Sequence, residues 1–231
     1  MQDQKKIPLQ SFGRRRGRKL RVSRSALMEM LLPKLLIELP ENGLSPESLF
    51  QGNGKAPLWF EIGFGAGEHL VEQARRHPDI HFIGCEPYIN GMAVLLSAID
   101  KDELDNIQLY DGDARLLLER LPDESIERLF VLFPDPWPKA RHHKRRIISQ
   151  STLALFYRKL APEGLLRIAT DHEDYGVWMF EHLLTFGKFK WTAKSCRDWK
   201  NPPADWVKTR YQGKADAEGR PAMFLDWVKE R

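Results

Sequence analysis

Five acidic residues, Glu61, Glu86, Asp113, Asp135 and Asp171, each stand at or just past the end of a short apolar run. Carboxylates so placed can accept hydroxyl protons, oppose a positive charge or cap a helix. The first belongs to EIGFGAG, residues 61–67, where Gly63, Gly65 and Gly67 permit a tight turn and a close ligand approach to the backbone. A dinucleotide fingerprint needs glycine at 68, where Glu68 stands, and Glu61 and Glu68 would repel a pyrophosphate. Glu86 follows the next apolar run, nineteen residues beyond Gly67, where a carboxylate can accept both hydroxyl protons of a ribose. Asp113, in YDGDAR, can cap the following helix or face an adenine edge. Together these acids suit a cationic, hydroxyl-bearing nucleoside without phosphate, and S-adenosylmethionine is such a molecule.

A second constellation is FPDPWPKARHHKRR, residues 133–146. Pro134 and Pro136 stiffen the backbone on either side of Asp135. Trp137 can stack on a base or plug the crevice. Lys139, Arg141, Lys144, Arg145 and Arg146 are suited to phosphates, which position a nucleic acid without reading its sequence. His142 and His143 read as solvated loop residues. Residues 14–24, RRRGRKLRVSR, add seven cations and no acid, as a solubilising tail or a second RNA clamp. Removing these twelve cations from the net charge of +4 leaves about −8, so the basic character is confined to two short segments. Cations localised on an acidic body point to a polyanionic partner.

The elements that must position these groups alternate. LWFEI (58–62), IHFIGCE (80–86), NIQLYD (106–111), RLFVLF (128–133) and GLLRIAT (164–170) read as strands, nearly continuously apolar. Helical periodicity covers 67–77, 88–101, 114–121, 147–160 and 174–184, and KFKWTA (188–193) and AMFLDWV (222–228) are closing strands. The pattern predicts an α/β fold whose parallel sheet is covered on both faces, with its ligand crevice outside the carboxyl ends of the strands. Ahead of it, residues 1–22 read as a basic arm, 23–39 as a helix kinked or broken at Pro33, and 40–57 as loop; 23–231 form a single domain.

A chain of 231 residues, 42% apolar and 29% charged, is ordinary for a globular protein. No apolar run approaches the roughly 18 residues that span a bilayer, and neither a membrane nor a signal segment is expected. Two cysteines, Cys85 and Cys196, without CxxC spacing suggest a cytoplasmic setting and no metal site. Cys85, Trp191, Trp199, Trp206 and Trp227 are expected in packing roles, and His69, His77 and His81 at the surface or at helix ends.

EIGFGAG, GCE, the Asp113 region, FPDPWPKARHHKRR, ATD and the later TRYQ closely resemble the bacterial tRNA (guanine-N(7)-)-methyltransferase family, in order over roughly residues 13–228. The resemblance implies a Rossmann-like class I methyltransferase fold, a mostly parallel seven-stranded sheet with an antiparallel final strand. It implies S-adenosylmethionine as methyl donor and guanine 46 of the tRNA variable loop as target. The family's cofactor contacts fall on Glu61, Glu86, Asp113 and Asp135, beside the glycines Gly63 and Gly65. Asp135 also matches its catalytic position. Lys139, Asp171, Thr209, Arg210, Tyr211 and Gln212 match its substrate contacts, and 141–146 its RNA-touching stretch. Gln212 replaces the family's usual glutamate, keeping an acceptor oxygen but losing the charge.

A small-molecule or protein methyltransferase would share the glycine loop but not the two cationic segments. A non-catalytic RNA-binding module would need the cations but not the acids, and a dehydrogenase is disfavoured by Glu68.

Overall fold

A computed structural model of the protein describes residues 12–13, 15–50 and 56–230. Its elements run α1 (Val22–Met30), α2 (Leu32–Leu35), β1 (Leu58–Ile62), α3 (Glu68–Arg76), β2 (His81–Cys85), α4 (Ile89–Asp102), β3 (Ile107–Tyr110), α5 (Ala114–Arg120), β4 (Ile126–Leu132), α6 (Gln150–Lys159), β5 (Leu160–Thr170), α7 (Glu173–Phe186), β6 (Phe189–Trp191), α8 (Cys196–Lys200), α9 (Arg210–Ala217) and β7 (Met223–Lys229). The strands form one sheet in the order β3-β2-β1-β4-β5-β7-β6. β1 to β5 pair in parallel, and β7 pairs antiparallel with both β5 and β6.

The apolar runs become buried strands because both faces of the sheet are covered. The period-two alternation of a strand sends Phe60, Leu129 and Leu166 to one face, where Leu117, Phe156 and Met179 of α5, α6 and α7 meet them. Trp59, Phe130 and Ala169 point to the other, against Leu70 of α3, Leu95 of α4 and Leu32 of α2. The fold class expected from the sequence is the one observed.

Some boundaries differ for local reasons. The helix expected over 23–39 breaks at Leu31, and Pro33 falls in the first turn of the short α2, where its missing N–H costs no hydrogen bond. The helix expected from 147 starts at 150, because Ser149 caps it through a reciprocal box with Thr152. The basic stretch Ala140–Arg145 winds into a 3-10 helix. Two elements had no counterpart in the apolar pattern: α8 and α9, short and polar.

Strand order reverses at β1, with β2 on one side and β4 on the other, and that switch point opens a crevice at their carboxyl ends.

Candidate active site

The crevice holds a cavity of about 480 Å³, within the range of small-molecule sites. Gly63, Gly65, Glu86, Asp113, Asp135, Trp137, Lys144, Arg145 and Tyr211 all line it. Residues that follow β1, β2, β3 and β4 thus meet one from α9, although Gly63 and Tyr211 stand 148 positions apart.

The glycine loop explains its own composition. Gly63, Gly65 and Gly67 have φ of 73°, 60° and 81°, a left-handed backbone that side chains disfavour. Cys85 O accepts from the Gly63 N–H at 2.8 Å. Glu86, which is 9% exposed, accepts from the Gly65 N–H at 2.8 Å and from the Tyr88 N–H at 2.9 Å, one on each carboxylate oxygen. Burial raises its pKa; the two backbone donors oppose that, and the charges of Asp135 and Glu61 add to it. Behind the loop, α4 packs so closely that a Cβ on Gly91 would lie 2.1 Å from the Gly65 carbonyl oxygen. Nothing in the sequence pattern singled out Gly91, but a glycine inside an otherwise helical run is itself the signal.

Asp113 both lines the cavity and caps α5, accepting from the Arg115 N–H at 3.0 Å. Its carboxylate also accepts from Arg115 Nε at 2.9 Å. Burial opposes its ionisation, yet the Arg115 hydrogen bonds and charge outweigh this and hold its pKa below the ordinary value. Asp135 is different. It stands open to the cavity with no hydrogen bond or ion pair among the described residues, and desolvation raises its pKa. Its loop is bracketed by Phe133 and Trp137, non-glycine residues with φ of 51° and 44°.

Trp137 lines the cavity wall in a sandwich rather than on an open platform. The Arg145 guanidinium lies 4.8 Å from its ring centre and 4.7 Å from that of Phe12, and the two rings meet edge-on at 6.5 Å. Phe12 and Gly13 of the expected arm therefore line the site, while 1–11 and 14 lie outside the described residues. Arg15 O accepts from the Ile89 N–H, and Asn90 bonds the backbone of Gly17 and Arg18.

Among the cations of residues 133–146, Lys139, Arg141 and Lys144 are exposed. Arg146 is not: it is 5% exposed, lies over the rings of Tyr175 and Trp178, and donates to Pro136 O at 2.9 Å. This corrects its expected place on the phosphate rim. The side chain instead glues the Asp135 loop to α7, and it turns inward because the 3-10 helix ends one residue before it. On the phosphate role expected for Arg145 from the sequence, Arg145→Ala should weaken binding of a polyanion and reduce the salt slope of log K by about 1. Arg146→Ala should cost roughly 1–3 kcal/mol of stability through lost packing and hydrogen bonding, read as a shifted denaturant midpoint.

Glu61 does not line the cavity. It is 3% exposed, and its Oε2 lies 2.7 Å from His69 Nδ1 on α3. Of the surface or helix-end places expected for it, His69 takes the second, in the first turn of α3, but is 2% exposed; His81 is buried as well, stacked on Phe50. His69 and Gln73, one helical turn apart, form a buried polar face under the glycine loop, and Gln73 donates to Asp205 O at 2.9 Å.

TRYQ opens α9. Thr209 caps it by accepting from the Gln212 N–H at 3.2 Å. Gln212 Oε1 accepts from Trp206 Nε1 at 2.7 Å, a task that needs an acceptor but no charge. Tyr211 is 60% exposed and stands over Gly65, while Arg210 is exposed and 3.3 Å from Glu68. Lys139 and Asp171 lie off the cavity wall, Asp171 pairing with Arg220 at 2.9 Å. Among the described residues no cluster of three or more His, Cys, Asp or Glu could hold a metal, and no helix is long and apolar enough to cross a membrane.

A family model described as "Putative methyltransferase" matches residues 55–225. The tRNA (guanine-N(7)-)-methyltransferase of Chelativorans sp. (strain BNC1) is 45% identical over 219 residues, covering 94% of this chain and 94% of that protein. The enzyme of the same name from Agrobacterium fabrum (strain C58) is 44% identical over 222 residues, with 94% of each covered. Among solved structures, a 16S rRNA methyltransferase, KamB, superposes with a TM-score of 0.55 at 17% identity, covering 76% of this chain and 88% of that one. An antibiotic-related methyltransferase gives 0.53 at 15% identity, covering 93% and 97%. These structural likenesses carry the fold, and the sequence relatives carry the family: the chain is a methyltransferase belonging to the bacterial tRNA (guanine-N(7)-)-methyltransferase family.

Proposed function

We propose that the protein methylates N(7) of a guanine in tRNA, guanine 46 of the variable loop, with S-adenosylmethionine as donor and 7-methylguanosine as product. The observation that carries the donor is electrostatic. Glu86 and Asp135 face one cavity, burial raises both, and neither has a cationic side-chain partner among the described residues. A positively charged ligand supplies the missing counter-charge. The residues fit in other respects: Gly63 leaves open space where a Cβ would stand, and no phosphate-binding side chain interrupts the glycine loop. Gly63, Gly65 and Glu86 would hold the donor's ribose and amino-acid end, and Asp113 its base. When bound, it supplies a methyl group on a sulfonium.

Guanine N(7) already carries a free lone pair, so the protein need not remove a proton to create the nucleophile. Positive charge develops on the purine as the bond forms. The Asp135 carboxylate opposes that charge and can accept from the base's N(1)–H and exocyclic amine. Stiff placement by Pro134, Pro136 and the Arg146 anchor contributes the orientation on which transfer depends. Lys139, Arg141, Lys144 and Arg145 hold the RNA backbone, with Asp171 and the Thr209–Gln212 turn on the substrate side. Glu61 acts from beneath the loop. Residues 23–231 work as one domain with 1–22 as its arm. Free Cys85 and Cys196 are consistent with a cytoplasmic setting.

The test is nucleoside mass spectrometry of an unmodified tRNA transcript incubated with protein and donor. 7-Methylguanosine should appear and map to position 46. No product, or product unchanged when guanine 46 is replaced by adenine, would overturn the activity or the position respectively. Calorimetry should detect the donor and not NAD.

A further inference from the structure

Beside the first cavity lies a second, of about 260 Å³, and Gly65, Tyr88 and Tyr211 line both. The Tyr211 ring, whose Cε2 would stand 3.1 Å from a Cβ on Gly65, is the common wall. The first cavity mixes Glu86, Asp113 and Asp135 with Arg115, Lys144 and Arg145, whereas the charged lining of the second is of one sign. Arg24 of α1 and Arg210 of α9 line it together with Tyr88, Asn90, Gly91 and Val94, and no acidic residue does. Arg24 has no ion-pair partner among the described residues, and the Arg210 pairing with Glu68 is long and exposed. The cavity also abuts the first turn of α4, a 14-residue helix whose dipole makes that end positive and whose N-cap, Tyr88, makes no side-chain cap, although the Ile89 N–H donates to Arg15 O.

We propose that this second cavity is a phosphate subsite for the RNA strand, holding a phosphodiester that flanks the target guanine. The inference rests on the first cavity taking the guanine. A base entering there past Tyr211 leaves its backbone outside, and the next pocket offers two guanidinium groups and a helix N-terminus. Guanidinium groups bind phosphate oxygens through paired N–H donors, a geometry lysine lacks. Arg24 closes the basic run 14–24, expected from the sequence as a solubilising tail or a second RNA clamp. Its seat on a packed helix, not on the arm, makes it a fixed ligand.

The test uses full-length protein, Arg24→Gln, and tRNA carrying a neutral methylphosphonate at one or the other phosphate flanking the target guanine. Arg24→Gln should lower kcat/KM for tRNA about tenfold, the scale of one charge-assisted hydrogen bond. The salt slope should fall by about 1, with donor affinity by calorimetry unchanged. One of the two methylphosphonates should cost wild type a similar factor and cost Arg24→Gln nothing further. Additive losses from Arg24→Gln and each methylphosphonate would overturn the subsite, as would an unchanged slope. Wild-type protein that binds donor yet leaves tRNA unmethylated would overturn the guanine assignment itself, a result distinct from a silent Arg24.

Discussion

Asp135→Ala is expected to lower kcat for tRNA methylation about 10²–10³-fold, the usual cost of removing one fixed group that stabilises transition-state charge. The fold should survive. Asp135 makes no hydrogen bond or ion pair among the described residues, and desolvation already disfavours its ionised form. The sign follows from proton binding: with the folded pKa of Asp135 and Glu86 raised, the native state holds more protons than the unfolded chain just above the ordinary carboxylate range. Ligand-free protein therefore loses stability as pH rises through that window, and the alanine variant should lose less. Donor affinity should run the other way, weakening as pH falls through the raised pKa values and the negative charge disappears. Asp135→Asn, which keeps the shape, separates charge from packing. Wild-type turnover in either variant would remove Asp135 from the mechanism.

Gly91→Ala should be nearly as damaging, although Gly91 carries no functional group. Its Cβ would lie 2.1 Å from the oxygen and 3.0 Å from the carbon of the Gly65 carbonyl, and the loop cannot retreat freely because Glu86 grips the Gly65 N–H. Overpacking of this kind costs about 1–3 kcal/mol and often more against backbone. Displacement of the loop should weaken donor binding by about a hundredfold, read by calorimetry. Gly43→Ala, whose added Cβ would have its nearest neighbour at 3.6 Å, is the matched control. Equal affinities for the two variants would refute the tight α4–loop contact.

Most of the sheet was legible because a strand buried on both faces must be apolar at every position, and LWFEI or RLFVLF has few other ways to be satisfied. Three of the five acids converge for a related reason. Glu86, Asp113 and Asp135 lie just past strand ends, where the chain turns over the crevice. Glu61 lies within β1, so the pleat fixes its direction, and it points under the loop toward His69. Asp171 turns toward Arg220 instead. The burial of Arg146 was hidden because RHHKRR looks uniformly solvated. Only the distant Tyr175 and Trp178, brought close by α7, give that cation a reason to leave water. α8 and α9 escaped notice because they are held by capping and by Trp206, not by an apolar stripe.

Two left-handed side-chain residues, Phe133 and Trp137, bracket the Asp135 loop, and each such conformation costs on the order of 1–3 kcal/mol. That tension is held by ring contacts, Phe133 against Trp206 and Trp137 against Phe12 and Arg145, so glycine at either position would give up packing together with strain. Such variants should still bind the donor but turn over slowly, the aim of the carboxylate having been loosened.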